Sequence, residues 1–294
     1  MLDLNELDQL KISGKPEIVT TDFAKMFKEA YINPSEKMKP QPLAISMGVK
    51  LYKSEYYPVP LGSYGDFSCL VGASKSGKTF LKSGIEAIYL GGNANEYFPS
   101  MKAHNNMDKV VVAFDTEQSR FHTQRVVKRV IEMVGNDDGR YNAFSLRGYS
   151  AKERFQFIDW VVYESDFKGV IGLMSIDGFV DLLDDFNNLE ESTALTQKLL
   201  EWTANGNMHC TGILHKNFGT EKPVGHIGSS VLKKAETGIF IDEDGNDKKV
   251  ECRYSRNVAF ETFNYTINND NWLPYEVESS VGDKLPKNKA VSNF

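Results

Sequence analysis

Residues 72–79 read Gly-Ala-Ser-Lys-Ser-Gly-Lys-Thr, a complete G-x-x-x-x-G-K-[ST] phosphate-binding loop. Such a loop works only between a buried strand and the first turn of a helix, so it dictates an α/β core around itself. The flanks agree. Asp66-Phe67-Ser68-Cys69-Leu70-Val71 is a short, mostly apolar run suited to a parallel strand, and residues 79–88 have helical spacing. Gly72 and Gly77 allow the φ angles and close approach that a Cβ would block. Lys78 would meet the β- and γ-phosphates, and the Thr79 hydroxyl would ligate Mg²⁺. Gly72, Ala73, Ser74, Lys75, Ser76, Gly77, Lys78, Thr79 and the next residue, Phe80, are therefore the expected seat of a nucleoside triphosphate, ATP with Mg²⁺. An ordinary glycine turn would not need these flanks.

At 294 residues the chain is within reach of one α/β core with a terminal appendage. Its 41% apolar content, with 18 Phe and 13 Tyr, excludes wholesale disorder. Cys69, Cys210 and Cys252 are too scattered for a disulfide framework or a zinc cluster, and the first two lie in apolar runs that suit buried thiols. His122 and His209 have no second His or Cys at ligand spacing. The opening Met1-Leu2-Asp3-Leu4-Asn5-Glu6 lacks the basic and apolar regions of a signal peptide, and no run is long enough for a membrane span. A soluble, cytoplasmic protein without membrane partners is expected. The net charge of −6 argues against a generic nucleic-acid coat but not against contacts confined to a few loops.

Residues 1–40 are expected to form a helical arm, with a helix over 21–31 whose face carries Phe23, Met26, Phe27 and Tyr31. Residues 34–66 are punctuated by Pro34, Pro40, Pro42, Pro58 and Pro60 and predict one strand near 43–47 followed by a connecting loop. Beyond Phe67, strands and helices alternate. Strands are predicted at 110–114, 141–146, 169–176 and 211–214. Helices are predicted after Asp115, with Val126, Val127, Val130, Ile131 and Val134 inward, and at 151–164, with Phe155, Ile158, Trp160, Val161 and Val162. A third spans 188–204, with Leu195, Leu199, Leu200 and Trp202 inward. This alternation implies a mainly parallel sheet flanked by helices. Residues 237–241 and 249–254 flank an Asp244-Gly245 turn and predict a C-terminal antiparallel hairpin, with another strand near 260–267. The ATPase domain is bounded at 41–278, and 279–294 reads as a flexible polar tail.

Ligands of parallel sheets gather at the C-terminal strand ends. Three such ends carry polar residues: Asp115-Thr116-Glu117, Asp177-Gly178 and His215-Lys216-Asn217. Asp177 is a candidate to hold Mg²⁺ through its water shell, opposite Thr79. Asp115 competes for that role, and spacing alone leaves both open. Glu117 is the candidate to orient and deprotonate an attacking water, or else a solvated first-turn glutamate. His215 reads by itself as a core histidine. Lys216, Lys222 and His226 lie in a glycine-rich loop, 216–230, that either tracks a nucleic-acid backbone or is simply a surface loop. Arg253 and Arg256 are either solubilising strand residues or a finger offered to a neighbouring subunit.

Taken in order, Gly72–Thr79, Phe114-Asp115-Thr116-Glu117-Gln118-Ser119-Arg120, Ile176-Asp177-Gly178, Leu214-His215-Lys216-Asn217, Gly225-His226-Ile227-Gly228-Ser229 and Tyr254-Ser255-Arg256 resemble the RecA-like ATPases of the RepA/DnaB helicase group. The likeness spans roughly 40–275 and is nearest to the helicase halves of primase-helicases of mobile elements and phages. It implies Lys78 and Thr79 on phosphate and Mg²⁺, Glu117 as catalytic carboxylate and Asp177 as second-strand acid. It further implies His215 as γ-phosphate sensor and Arg256 as finger for the adjacent subunit. A hexameric ring with single-stranded DNA in its channel follows from it, with the arm packed on a neighbour and any primase or replication protein a separate chain. Tyr254 stands where such rings usually carry a basic residue, with Arg253 beside it. The competing expectation is a RecA-like regulatory or assembly ATPase, a loader or mobilisation factor that switches protein partners. A small-molecule kinase is less favoured, since no arginine-rich lid is readable.

Overall fold

The computed structural model describes residues 22–105, 108–217 and 222–277. It divides into two units, Met1–Pro40 and Gln41–Phe294. In the first, helix α1 (Phe23–Ala30) is capped by Asp22, whose Oδ1 accepts from Lys25 N at 3.0 Å. Phe23, Met26 and Phe27 are all exposed.

The second unit is built on a large sheet whose strands lie in the order 274–277, 263–267, 247–255, 237–244, 67–72, 209–215, 171–177, 110–115, 141–145. Its parallel part comprises β3 (Phe67–Gly72), β5 (Val110–Asp115), β6 (Tyr141–Ser145), β7 (Ile171–Asp177), β8 (His209–His215) and β9 (Thr237–Asp244). Strands β10 (Asp247–Ser255), β11 (Phe263–Ile267) and β12 (Pro274–Val277) extend it antiparallel. Side chains alternate across it. Leu70 and Val111 enter one core, while Phe67, Cys69, Val71, Val112 and Phe114 enter the other. The first core is closed by α2 (Lys78–Leu90), α3 (Ala94–Tyr97) and α4 (Arg120–Val134). The second is closed by α5 (Ala151–Tyr163), α6 (Leu189–Gly206) and α7 (Gly225–Lys234).

Three local expectations are corrected. The connecting loop drawn through Pro58 and Pro60 is strand β2 (Glu55–Ser63), which pairs with β1 (Leu43–Tyr52) in a small separate sheet completed by β4 (Met101–Ala103). As an edge strand, β2 bonds on one side only, so prolines are tolerated there. Trp160 is half exposed, stacked on Phe157 (centroids 6.1 Å apart), because Ile158, Val161 and Val162 already fill the inner face of α5. The end of the stretch read as a glycine-rich loop, 216–230, is helical: from Gly225 it is helix α7, held by the burial of Ile227, Gly228 and Val231. A Cβ at Gly228 would lie 2.5 Å from Pro223 Cβ, so glycine is what lets this helix seat.

Beneath the phosphate-loop helix lies a buried polar cluster. Lys82 Nζ donates to Glu86 Oε1 at 3.0 Å, and both side chains are almost fully buried. Glu86 also accepts from Tyr141 Oη at 3.0 Å and from Ser175 Oγ, tying α2 to β6 and β7. Burial works to lower the Lys82 pKa, but the Glu86, Asp177 and Asp115 carboxylates outweigh it and leave the ammonium raised. Removing one partner of a buried pair leaves a charge without compensation. Glu86→Ala is expected to destabilise the fold by about 3–5 kcal/mol, read as a lower denaturant midpoint at unchanged slope.

Candidate functional site

The phosphate loop leaves β3 at Gly72, which lies in register with His215 on β8 and Ile241 on β9. Gly77 precedes α2 at φ +95°, and no side chain caps that helix, so its first N–H groups have no side-chain partner. Lys78 Nζ folds over the loop and donates to Gly72 O at 3.0 Å and to Ala73 O. Burial pushes its pKa down to about 8, against the opposing pull of Asp177 and Glu117. Ser76 Oγ is buried without a hydrogen-bond partner. A loop with a helix N-terminus that no side chain caps, an orphaned buried hydroxyl and a cation resting on its own carbonyls fits a bound polyphosphate. Lys75, also at positive φ, and Ser74 lie exposed on its outer side.

A residue with no motif behind it braces this loop. Tyr265 on β11 is fully buried, and its Oη donates to Gly77 O at 2.7 Å. A Cβ at Gly77 would sit 2.3 Å from that oxygen. No local sequence signal marks Tyr265, since its role depends on three antiparallel strands folding back beside β9. Phe80, half-buried on α2, lies under the Arg129 guanidinium at 3.8 Å. Burial lowers the Arg129 pKa to about 10.

Thr79 Oγ1 donates to Asp177 Oδ2 at 3.2 Å across the β7 end. Burial raises the Asp177 carboxyl to about 6 despite the opposing Lys82 charge. Asp115 is differently employed. Its Oδ1 accepts from Glu117 N and Gln118 N at 3.1 and 2.8 Å, and its Oδ2 from Thr123 Oγ1 at 2.9 Å. Asp115 thus builds the turn that aims Glu117, while Asp177 meets the Thr79 hydroxyl. These oxygens would hold Mg²⁺ only together with phosphate oxygens, since no cluster of three His, Cys, Asp or Glu exists among the described residues.

Glu117 Oε2 lies 3.8 Å from His215 Nε2. The His215 imidazole beside it holds the Glu117 carboxyl below the usual carboxylate range, with Lys78 and Arg147 adding to the effect. Phosphate loop, Asp177, Glu117 and His215 thus converge from the ends of β3, β7, β5 and β8, contiguous strands of the sheet.

The remaining candidates do not join this cluster, although Lys216 N donates to Gly72 O at 3.1 Å beside it. Lys216 is buried in an ion pair with Asp242, which also accepts from Arg253 Nη2 at 2.6 Å. Arg253 lies over the Phe240 ring at 4.6 Å and bonds Glu251. Lys222 and His226 are exposed. Arg256 lies at the opposite end of the sheet. Its backbone N donates to Glu236 O at 2.9 Å, and Nη1 contacts Asp66 Oδ1 at 3.3 Å.

No protein-family model matches the chain, and no curated protein resembles it in sequence. A solved structure of the RadB recombinase is similar in fold, with a TM-score of 0.53 and 17% identity, covering 73% of this chain and 92% of that one. The fold is therefore RecA-like α/β, a parallel sheet between helices with a C-terminal antiparallel extension. Among the described residues, no helix is long and apolar enough to cross a membrane.

Gly77→Ala would force a left-handed φ on alanine and press its methyl on Tyr265. It is expected to weaken nucleotide binding at least about tenfold while costing only about 1–3 kcal/mol of stability, measured by titrating a fluorescent nucleotide beside a melting curve.

Proposed function

We propose that this chain is an ATP hydrolase with a RecA-like core, working as a ring-forming motor on single-stranded DNA. The observation that carries the hydrolase reading is the convergence of loop, Thr79–Asp177 pair and Glu117–His215 pair at adjoining strand ends. Lys78, now turned to the loop carbonyls, would swing onto the β- and γ-phosphate oxygens. Thr79 and Asp177 would hold Mg²⁺, which when bound would neutralise charge on those phosphates. Glu117, lowered by His215 and therefore ionised at neutral pH, accepts the proton of the attacking water. His215 is within reach of both Glu117 and the loop 216–224, since Val224 N donates to His215 O at 2.8 Å. It would report the γ-phosphate to that loop.

Arg256 cannot serve its own loop. The register places Ser255 opposite Thr237, and Thr237 opposite Ser68, four residues or about 13 Å down the sheet from Gly72. As a finger it would act on another copy, which is the rationale for a ring. The exposed apolar face of α1 is the kind of element that packs on a neighbour.

A second reading has a specific observation in its favour. Lys216, expected to track DNA, is buried against Asp242, and the net charge is −6. A regulatory ATPase that switches protein partners, such as a loader, would need no DNA loop. The readings separate by ATPase rate with and without single-stranded oligonucleotide. Stimulation with ring-sized particles supports the motor, and an indifferent rate supports the partner switch.

Glu117→Gln is expected to bind ATP normally and lose turnover by about 10²–10⁴-fold, because the amide cannot accept the water's proton. Turnover near wild type in rapid-quench assays would remove Glu117 from the mechanism.

Arg256→Ala is expected to bind ATP normally and hydrolyse it about 10³-fold or more slowly. Mixed with Lys78→Ala, it should partly recover, since some interfaces then pair an intact finger with an intact loop. No recovery in particles proven to be mixed would count against a shared site.

A further inference from the structure

The large sheet ends at β6, and a cavity of about 790 Å³ opens at the C-terminal end of that strand, between helices α4 and α5. Its floor is aromatic: Phe144 and Phe157 both line it, with ring centroids 5.3 Å apart. Two further lining rings stand largely in solvent. Phe121 on α4 is 66% exposed, and Tyr149, in the loop after β6, is 55% exposed. Arg120 and Arg154 line the same space. Arg120 is exposed, as is Arg147, which follows the lining residue Leu146, and neither guanidinium makes a hydrogen bond or ion pair among the described residues. The carboxylate in the lining, Glu153, is engaged in the capping box of α5, where its Oε2 accepts from Ser150 N at 2.8 Å.

Unpartnered cations beside exposed rings, in a chain of net charge −6, make a local site for a polyanion that also offers planar faces. An acidic peptide would answer the arginines and leave the rings in water. An apolar helix would cover the rings and bury the arginines without partners. A single strand answers both, with phosphates on the guanidinium groups and unstacked bases on the rings. We infer that the end of β6, with Arg120, Phe121, Arg147 and Tyr149, is a binding site for single-stranded nucleic acid. The site is bonded to the candidate hydrolytic centre. Thr123 lines the cavity, and its Oγ1 donates to Asp115 Oδ2 at 2.9 Å, while Asp115 Oδ1 holds the turn that aims Glu117. Arg154 donates to Leu146 O, Arg147 O and Asp181 O at 3.1, 3.0 and 2.9 Å, which fastens the loop carrying Tyr149 to the segment after Asp177. An oligonucleotide seated here would bear on both carboxylate-bearing strand ends. It would also find the cations that Lys216, held on Asp242, does not offer.

This inference rests on the single-strand reading of the proposed function, and the test separates the two. The full-length chain, Phe121→Ala/Tyr149→Ala and Arg120→Gln are titrated against labelled oligo(dT) with Mg²⁺ and a non-hydrolysable ATP analogue, alongside basal and oligonucleotide-stimulated ATPase. Wild type is expected to bind, and oligo(dT) to raise its turnover. The double variant should bind oligo(dT) at least about tenfold more weakly. Its basal turnover and analogue affinity should stay within about twofold of wild type, since its phosphate loop is untouched. Arg120→Gln should make the slope of log affinity against log salt shallower by about 0.7. On irradiation, an oligonucleotide carrying 5-iodouracil should crosslink to wild type at a peptide that contains Phe121 or Tyr149. Unchanged affinity in both variants, or crosslinks confined to other peptides, overturns this site and leaves the motor reading standing. Displacement of oligo(dT) by polyglutamate at equal charge also overturns it, and makes the patch a contact for acidic protein. A wild type that neither binds oligo(dT) nor is stimulated by it overturns both readings together.

Discussion

The hydrogen bond from Thr79 to Asp177 spans the distance between the phosphate loop and the strand that carries the second acid, with β8 inserted between them. Everything the site does depends on that spacing. With β8 in place, His215 rises between the loop and Asp177, and Glu117 reaches His215 from the far side through the turn that Asp115 builds. Parallel pairing in register, Gly72 with His215 and Asp115 with Asp177, aligns these ends at one height. A one-residue slip would turn each of these side chains to the opposite face of the sheet.

Strand ends can be held that rigidly only if the helix behind the loop is itself fixed. Lys82 and Glu86 do this from inside the core, bonded to strands on both sides of Asp115. A buried ion pair is seldom a gain in stability over apolar packing, so its value here is geometric and electrostatic. It sets a cation beneath the Asp177 carboxylate, whose pKa burial raises and Lys82 opposes. Tyr265 does the corresponding work from the other flank, where the antiparallel extension reaches Gly77.

The opposite end of the sheet has its own polar framework, in which Glu236, Asp66, Ser63 and Asn257 hold the backbone around Arg256. The C-terminal end of α7 feeds directly into this framework, since Arg256 Nη2 donates to Lys234 O. The start of the α7 segment is tied to His215 through Val224. One helix therefore touches both the strand end that would sense phosphate and the turn that carries Arg256. That continuity is a physical route between the candidate site and the Arg256 turn.

Much of this was legible in the chain itself. The loop at 72–79, the apolar strands ending in Asp115, Asp177 and His215, and the Asp244-Gly245 hairpin are local patterns, each set by the conformations and burial its own residues favour. Sequence spacing could not choose between Asp115 and Asp177, because the choice lies in which oxygens neighbouring segments occupy: Thr123 and two backbone N–H groups take the first, Thr79 the second. It could not foresee that Lys216 is drawn onto Asp242, that Gly225–Lys234 is helical, or that Pro58 and Pro60 sit in an edge strand. Each of these is decided by a partner far along the chain, where burial against another element overrides local propensity. What residues do by themselves could be read in order. What they do to one another had to wait for the sheet that brings them together.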